Sequence, residues 1–420
     1  MLRIQYRLRI EEAEENSPIV ERIACVIELL DAERLLARLD SERGAKGRNK
    51  YPNRVLWHCL IAFACLGVRT VTEGLRYLQL SKELRTICGI NGKTKIPSKH
   101  ALYRFEKRLM KHTALLEEIF ANTVRALKEK LPRFGEHLAT DSTKIHSLAN
   151  GRKPSADPEA SWKKYNKQFI DENGVLTTTA VKWFGYKLHL IVDAVYELPI
   201  SAHIATAKEN DATQFENVWE KAKCVLPDLC EIAKSNALDK GYDDITIYKM
   251  LWDDGVEPII AIREMTEEEN RLLLPENRLV CSDDRPLRFD GFETSRCALR
   301  YDLPKDCPRR SRTASFCEFA DECDQKLIRV KVTSDNLRHL GPVPRDSKKF
   351  VRLYNERSSA ERVTSRLKLN WGLDCVRRYG EGRTAVWAFL ALICMNGFAL
   401  SMVCADRLSD IRKTVYSVAA

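Results

Sequence analysis

The stretch KWFGYKLHLIVDA (182–194), with ELPISAHIAT (197–206) after it, decides the fold class. Both runs are rich in β-branched and aromatic residues, and only a short connection separates them, so they read as strands paired across a tight turn. Upstream, EHLATDSTKI (136–145) reads as a short strand ending in Asp141, and GRKPSADPEASWKKYNKQ (151–168) reads as polar and irregular. Downstream, ATQFENVWEKAKCVL (212–226) reads as a helix, and SNALDKGYDD (235–244) sets Asp239 before a Lys-Gly turn. Helical DDITIYKMLWDDG and the strand VEPIIAI (256–262) follow. A hairpin and then alternating strands and helices imply an α/β (α+β) fold, a mixed sheet flanked by helices.

Residues 264–345 interrupt this order with charged stretches and Cys281, Cys297, Cys307, Cys317 and Cys323, and read as an insertion in which LIRVKVTSD (327–335) is a strand. Cys297, Cys307, Cys317 and Cys323 supply enough thiols for one tetrahedral Zn2+, with His339 as a further ligand, but lack the closely spaced cysteine pairs of a strong zinc motif. Scattered reduced cysteines are the other reading.

Beyond the insertion, VRLYNERSSAERVTSRLKLNWGL (351–373) carries Tyr354, Arg357, Glu361 and Lys368. On one continuous helix these four project within an arc of about 60°, and Glu356 points elsewhere. One carboxylate, two cations and a phenol would share a stripe. A solvated face with pairs such as Arg357–Glu361 would look the same.

The 420 residues carry 69 Lys/Arg and 59 Asp/Glu, with 18 Gly and 15 Pro, which excludes a collagen-like or low-complexity chain. The 14 cysteines are too sparse for a small disulfide scaffold. MLRIQYRLRIEEAEEN at the start lacks the apolar core of a secretory signal, so a cytoplasmic location with reduced thiols is expected. Thr384–Ala405 is free of charge and long enough to span a bilayer; it reads as a buried core helix or as a membrane anchor, and the core helix is the expectation, with no membrane partner.

The positive charge is concentrated. Residues 41–111 hold 16 Lys/Arg against 4 Asp/Glu, and residues 345–383 hold 11 against 5. Two basic regions on an acidic remainder suit a polyanionic partner. In the first, residues 54–68 read as a buried helix and 71–90 as a second helical stretch ending near Gly89. Ser98 is a plausible N-cap for KHALYRFEKRLMKH. There Leu102, Phe105 and Leu109 share one face, while Lys99, Arg104, Lys107, Arg108 and Lys111 spread over the other. That helix suits docking on DNA, or is a solvated amphipathic helix.

Taken in order, these motifs are specific. Tyr354-x2-Arg357-x3-Glu361-x6-Lys368 matches every position and spacing of a signature found in one branch of the DDE transposases of bacterial insertion sequences, which this chain resembles. ATDSTKI around Asp141 looks like that family's first-Asp strand, LDKGYDD around Asp239 like its second-Asp segment, and GYKLHLIVD like the strand pair after the first Asp. NKYPNRVLWHCLIAF with IPSKHALYRFEKRL resembles the helical N-terminal domain common in these enzymes.

The resemblance implies an RNase H-like mixed five-stranded sheet, with Asp141 on its first strand, Asp239 just after its fourth and Glu361 on a later helix. It implies two Mg2+ (or Mn2+) ions, bridged by Asp141 and completed by Asp239 and Glu361, for phosphodiester hydrolysis and then transesterification. Tyr354, Arg357 and Lys368 would bind phosphate. The expected partners are double-stranded DNA, namely terminal inverted repeats and a target, with a homodimer on DNA. The expected organisation is a helical DNA-binding and dimerisation domain at 1–135, a catalytic domain split between 136–263 and 346–420, and the cysteine-containing insertion at 264–345. A catalytically inactive DNA-binding descendant is the alternative. Of the rival acids, Asp193 ends a strand and could approach the site, Asp211 reads as an N-cap, and Asp243 and Asp244 open a helix. His189 and Trp183 read as packed strand residues.

Overall fold

A computed structural model describes residues 18–43, 51–92, 94–152, 154–170, 176–263, 279–307, 317–319, 327–374 and 378–416. Helices come first: α1 (Pro18–Leu29), α2 (Glu33–Ser41), α3 (Asn53–Cys65), α4 (Val71–Leu80), α5 (Lys82–Ile87), α6 (Lys99–Leu109) and α7 (Thr113–Lys130). The stretch expected as one helix over 71–90 is two. Ser81 takes an extended conformation and its hydroxyl accepts from Leu84 N, ending α4 and capping α5. Ser98 caps α6 as expected, accepting from Ala101 N, and Leu102, Phe105 and Leu109 are buried.

Next come β1 (His137–His146), β2 (Ser161–Ile170), β3 (Leu176–Asp193) and β4 (Leu198–Thr206). They are followed by α8 (Asp211–Val225), α9 (Leu229–Ile232), β5 (Ser235–Leu238), α10 (Ile245–Asp253) and β6 (Glu257–Ile260). β1, β3 and β4 are antiparallel neighbours, and β5 and β6 run parallel to β1, giving the order β4-β3-β1-β5-β6. This is the RNase H-like arrangement. β5 (SNAL) is short and half polar, yet all four residues are buried. Two of its polar groups are met across the sheet: Thr140 donates to Asn236 Oδ1 at 2.9 Å, and Ser235 meets His137 Nδ1 at 2.8 Å.

Two expectations along these strands need correction. β1 does not end at Asp141 but continues to His146, so the carboxylate sits mid-strand. Residues 161–168 are not irregular. They form β2, which pairs with the first half of β3 from Ser161↔Gly185 to Ile170↔Leu176 and makes the sheet six-stranded. At Gly185 β3 exchanges β2 for β1 as its neighbour. Its φ of +151° and the approach of Ile145 O, which would lie 2.1 Å from an added Cβ, require glycine there.

Within the insertion, β7 (Arg288–Glu293), β8 (Ala298–Asp302) and β9 (Leu327–Lys331) form a separate antiparallel sheet, with the expected strand as β9. Then come α11 (Lys348–Asn355), α12 (Ser358–Asn370) and α13 (Glu381–Cys404). The charge-free segment expected to be a core helix lies within α13. It is long and apolar enough to cross a membrane, but nearly all of it is buried inside the protein. It packs against α1, α3, α7 and β4, and Asn396 Nδ2 donates to Pro199 O at 3.0 Å. The N-terminal helices, the sheet and α13 therefore share one hydrophobic core.

Candidate active site

β1 and β5 are parallel with Thr140 opposite Leu238, so Asp141 and Asp239 occupy the next step on neighbouring strands, whose backbones lie about 4.8 Å apart. Asp239 closes β5 and opens a tight 3-10 turn, its carboxylate accepting from Lys240 N at 2.7 Å. α12 packs across β1 and β3 and carries Glu361 in its first turn. Three segments far apart in the chain thus bring three carboxylates to one region of the sheet.

The electrostatics record this proximity. Asp141 accepts from Ser142 N at 2.8 Å, yet burial, with the charges of Asp239 and Glu361, pushes its carboxyl up to about 7. Arg357 tempers that field. Its guanidinium pairs with Glu361 at 2.5 Å and lies over the Tyr354 ring, 5.7 Å from the centroid. Burial would lower the Arg357 pKa, but Glu361, Tyr354 and Asp239 outweigh it and raise it. Tyr354 stacks on Phe350, and burial and then Asp239 raise its phenol. Half-buried Lys368 is lowered by burial and by Lys144, and Asp141 lies within its field.

These side chains do not ride on one continuous helix, which corrects the single-stripe expectation. Tyr354 belongs to α11, Glu361 and Lys368 to α12, and Glu356–Arg357 form a turn between them. The Ser358 hydroxyl donates back to Asn355 O at 2.8 Å, a local bond that competes with regular helix at that point. Glu356 points away as expected, toward His137 Nδ1 at 3.7 Å.

The rival acids are accounted for. Asp193 is buried at the far end of the hairpin, accepts from Gly135 N and Tyr196 N, and is pushed up to about 6 by burial. The register sets it opposite Leu138 while Asp141 faces Leu190, so it does not reach the site. Asn210, not Asp211, caps α8, accepting from Ala212 N. Asp243 is held by Arg338, and Asp244 caps α10. Burial keeps His189 neutral by pushing it down to about 3. Trp183 is buried.

Behind β1 lies a network that sequence reasoning missed. Ser142, on the opposite face from Asp141, donates to Asp211 Oδ1 at 2.8 Å, and buried Lys187 reaches the same oxygen at 2.8 Å. Asp211 is lowered although burial opposes it, because Lys187 and Ser142 hold its charged form. Strand alternation from Asp141 puts Ser142 on that face, but nothing in the sequence brings Asp211 to it.

Lys99, Arg104 and Lys107 on α6, and Lys111 in the turn that follows it, are exposed. Arg108 turns inward instead, bonding Asn53 Oδ1 at 3.0 Å and Leu39 O. Cys297, Cys307 and Cys317 are free thiols, and Cys323 lies outside the described residues. Among the described residues no group of three His, Cys, Asp or Glu side chains converges to hold a metal ion, so the zinc expectation finds no support. Cys297 sits at the head of β8 in a left-handed conformation, while Cys307 lies in a turn beyond its far end.

Asp141, Asp239 and Glu361 share a field without closing on one point, and Glu361 is engaged with Arg357. Their chemistry nonetheless fits a divalent cation. All three offer oxygen donors, which suit Mg2+ or Mn2+, and a cation would offset both the burial and the neighbouring charges that raise Asp141.

The family described as Transposase DDE domain matches residues 132–396, well over half of the chain, and Transposase domain (DUF772) matches residues 9–108. A search of curated proteins finds no match. Among solved structures, the cryo-EM piggyBac transposase synaptic complex with hairpin DNA aligns over 94% of this chain and 75% of that one, with 14% identity and a TM-score of 0.41. With the strand order and a family match over residues 132–396, the chain belongs to the DDE transposase family.

Proposed function

We propose that this chain is the transposase of an insertion sequence, binding the terminal inverted repeats of its own element and performing metal-dependent strand cleavage and strand transfer. DNA transposition and phosphoryl transfer are the family's activity. The observation that carries it is the meeting of Asp141, Asp239 and Glu361 at one region of the sheet, each on a different element, with burial and then the other two carboxylates raising Asp141.

Asp141, Asp239 and Glu361 would hold a pair of Mg2+ or Mn2+ ions, which when bound supply Lewis acidity to the attacking and departing oxygens. Arg357 is suited to grip a non-bridging phosphate oxygen through its planar fork, Tyr354 supports that fork from below, and Lys368 adds a mobile point charge. When phosphate takes over Arg357, Glu361 is released to face the other two carboxylates. In the first reaction water attacks the phosphorus and the 3′ oxygen leaves, giving a 3′-hydroxyl and a 5′-phosphate. In the second that hydroxyl attacks a target phosphate and a new 3′-hydroxyl departs. Lys99, Arg104, Lys107 and Lys111 would hold flanking duplex through its phosphates, and a homodimer would bring two ends together.

The test is direct. The purified chain with Mg2+ or Mn2+ and a plasmid carrying the repeats that flank its gene should release strands with 3′-hydroxyl termini at the repeat ends, and chelation should stop it. Binding without cutting would favour the inactive descendant. Separately, Arg357→Ala should weaken binding to end DNA and make the log–log salt dependence shallower by about 0.9, the release expected for one phosphate contact. An unchanged slope removes Arg357 from the phosphate contacts.

A further inference from the structure

β2 and the first half of β3 do more than widen the sheet. β1 ends its pairing with β3 at Gly185 and β4 ends at Tyr186, so beyond that point β2 and β3 continue as a two-stranded ribbon. Lys164, Tyr165 and Asn166 on β2 are exposed, as are Thr178, Thr179, Ala180 and Lys182 on β3, so both faces of the ribbon meet solvent. Its base is fixed. Trp162 Nε1 donates to Gly151 O at 3.1 Å, and its ring lies 5.4 Å from that of Phe184.

The two strands of this ribbon carry Lys163, Lys164, Lys167 and Lys182, and the acids between residues 161 and 185, Asp171 and Glu172, both fall in the connection 171–175. Lys164 and Lys182 are direct cross-strand partners, and among the described residues neither is ion-paired to an acid. Like charges directly opposite destabilise a strand pair, so this arrangement works against the ribbon's own folding unless an anion lies over it. The period of two places Lys182 on the same face of β3 as Leu190, the partner of Asp141. Between them the strand covers about 26 Å, roughly eight base pairs of duplex at about 3.4 Å each.

We propose that the ribbon is a DNA arm: a duplex entering the site at Asp141 runs along it, and Lys164 and Lys182 close on backbone phosphates about eight base pairs from the reacting one. This rests on the reading of the chain as an enzyme acting on DNA. The contact is sequence-neutral, made through phosphates, and it offsets the repulsion of the paired lysines.

The full chain carrying Lys164→Ala and Lys182→Ala, titrated with a mixed-sequence duplex at several salt concentrations, tests it. The slope of log affinity against log salt should become shallower by about 2, the loss of two phosphate contacts. The melting temperature should match or exceed that of the unmodified chain, because the repulsion has gone. Lys164→Arg with Lys182→Arg should keep the original slope. If the unmodified chain binds duplex with strong salt dependence and the alanine pair has the same slope, the DNA arm is wrong and the parent reading stands. The same slope together with a change in oligomeric state would assign the ribbon to a protein interface. Failure of the unmodified chain to bind duplex at all would overturn both.

Discussion

Asp141→Asn is expected to reduce DNA cutting by at least a hundred- to a thousandfold, roughly the cost of removing one preorganised electrostatic group from an active site, while duplex affinity is retained. The substitution is nearly isosteric, and the asparagine carbonyl can still accept from Ser142 N, so β1 keeps its local structure. The lost feature is a charge at the point where burial and two neighbouring acids already oppose it. Without metal the variant should therefore melt no lower than the parent chain. With Mg2+ the parent should gain thermal stability, because a cation bound only by the folded state stabilises it by mass action, and Asp141→Asn should gain little. Asp239→Asn and Glu361→Gln should behave alike in the cutting assay. Cutting at the parent's level by any of the three would remove that residue from the catalytic set.

Arg378→Ala should lower the stability of the whole chain by about 3–5 kcal/mol, the usual cost of stripping one partner from a buried ion pair. Glu106 lies on α6 with its side chain almost fully buried, and Arg378, just before α13, reaches it at 3.3 Å. Trp387 Nε1 donates to the same carboxylate at 3.3 Å, and the guanidinium sits 4.6 Å from the centroid of the Trp387 ring. Removing Arg378 strands a desolvated carboxylate and empties a cation–π contact. Removing both charges at once with apolar residues of similar volume, Glu106→Leu with Arg378→Met, should recover much of the loss. Urea titration of the variants reads both effects; a loss of less than about 1 kcal/mol for Arg378→Ala would place the pair in water rather than in the core.

The central sheet was legible because its strands bury what strands bury. KLHLIVDA and LPISAHIA are mostly apolar with β-branched residues among them, and their short connection allowed only an antiparallel hairpin. The ribbon escaped notice for the opposite reason: a two-stranded arm with solvent on both faces needs no apolar period, so SWKKYNKQ looked like loop. The acids of the candidate site were singled out by spacing and motif order rather than periodicity. The shape of their support was not. A helical projection assumes an unbroken helix, and the bond from Ser358 to Asn355 O interrupts it between Tyr354 and Glu361. Composition likewise counted Arg108 with the basic face, because only tertiary structure brings Asn53 and Leu39 within its reach.

The position of α13 has a consequence for how the protein is made. It packs against α1, α3 and α7, helices that leave the ribosome some 250–350 residues earlier. At about 5–20 residues per second, the N-terminal helices wait from roughly ten seconds to a minute for the partner that completes their core. During that interval their apolar faces are open to chaperones and to one another. A message cut short before codon 381 would yield a polypeptide that cannot bury them, so premature stops late in the reading frame should give rapidly degraded products rather than stable fragments retaining the N-terminal helices.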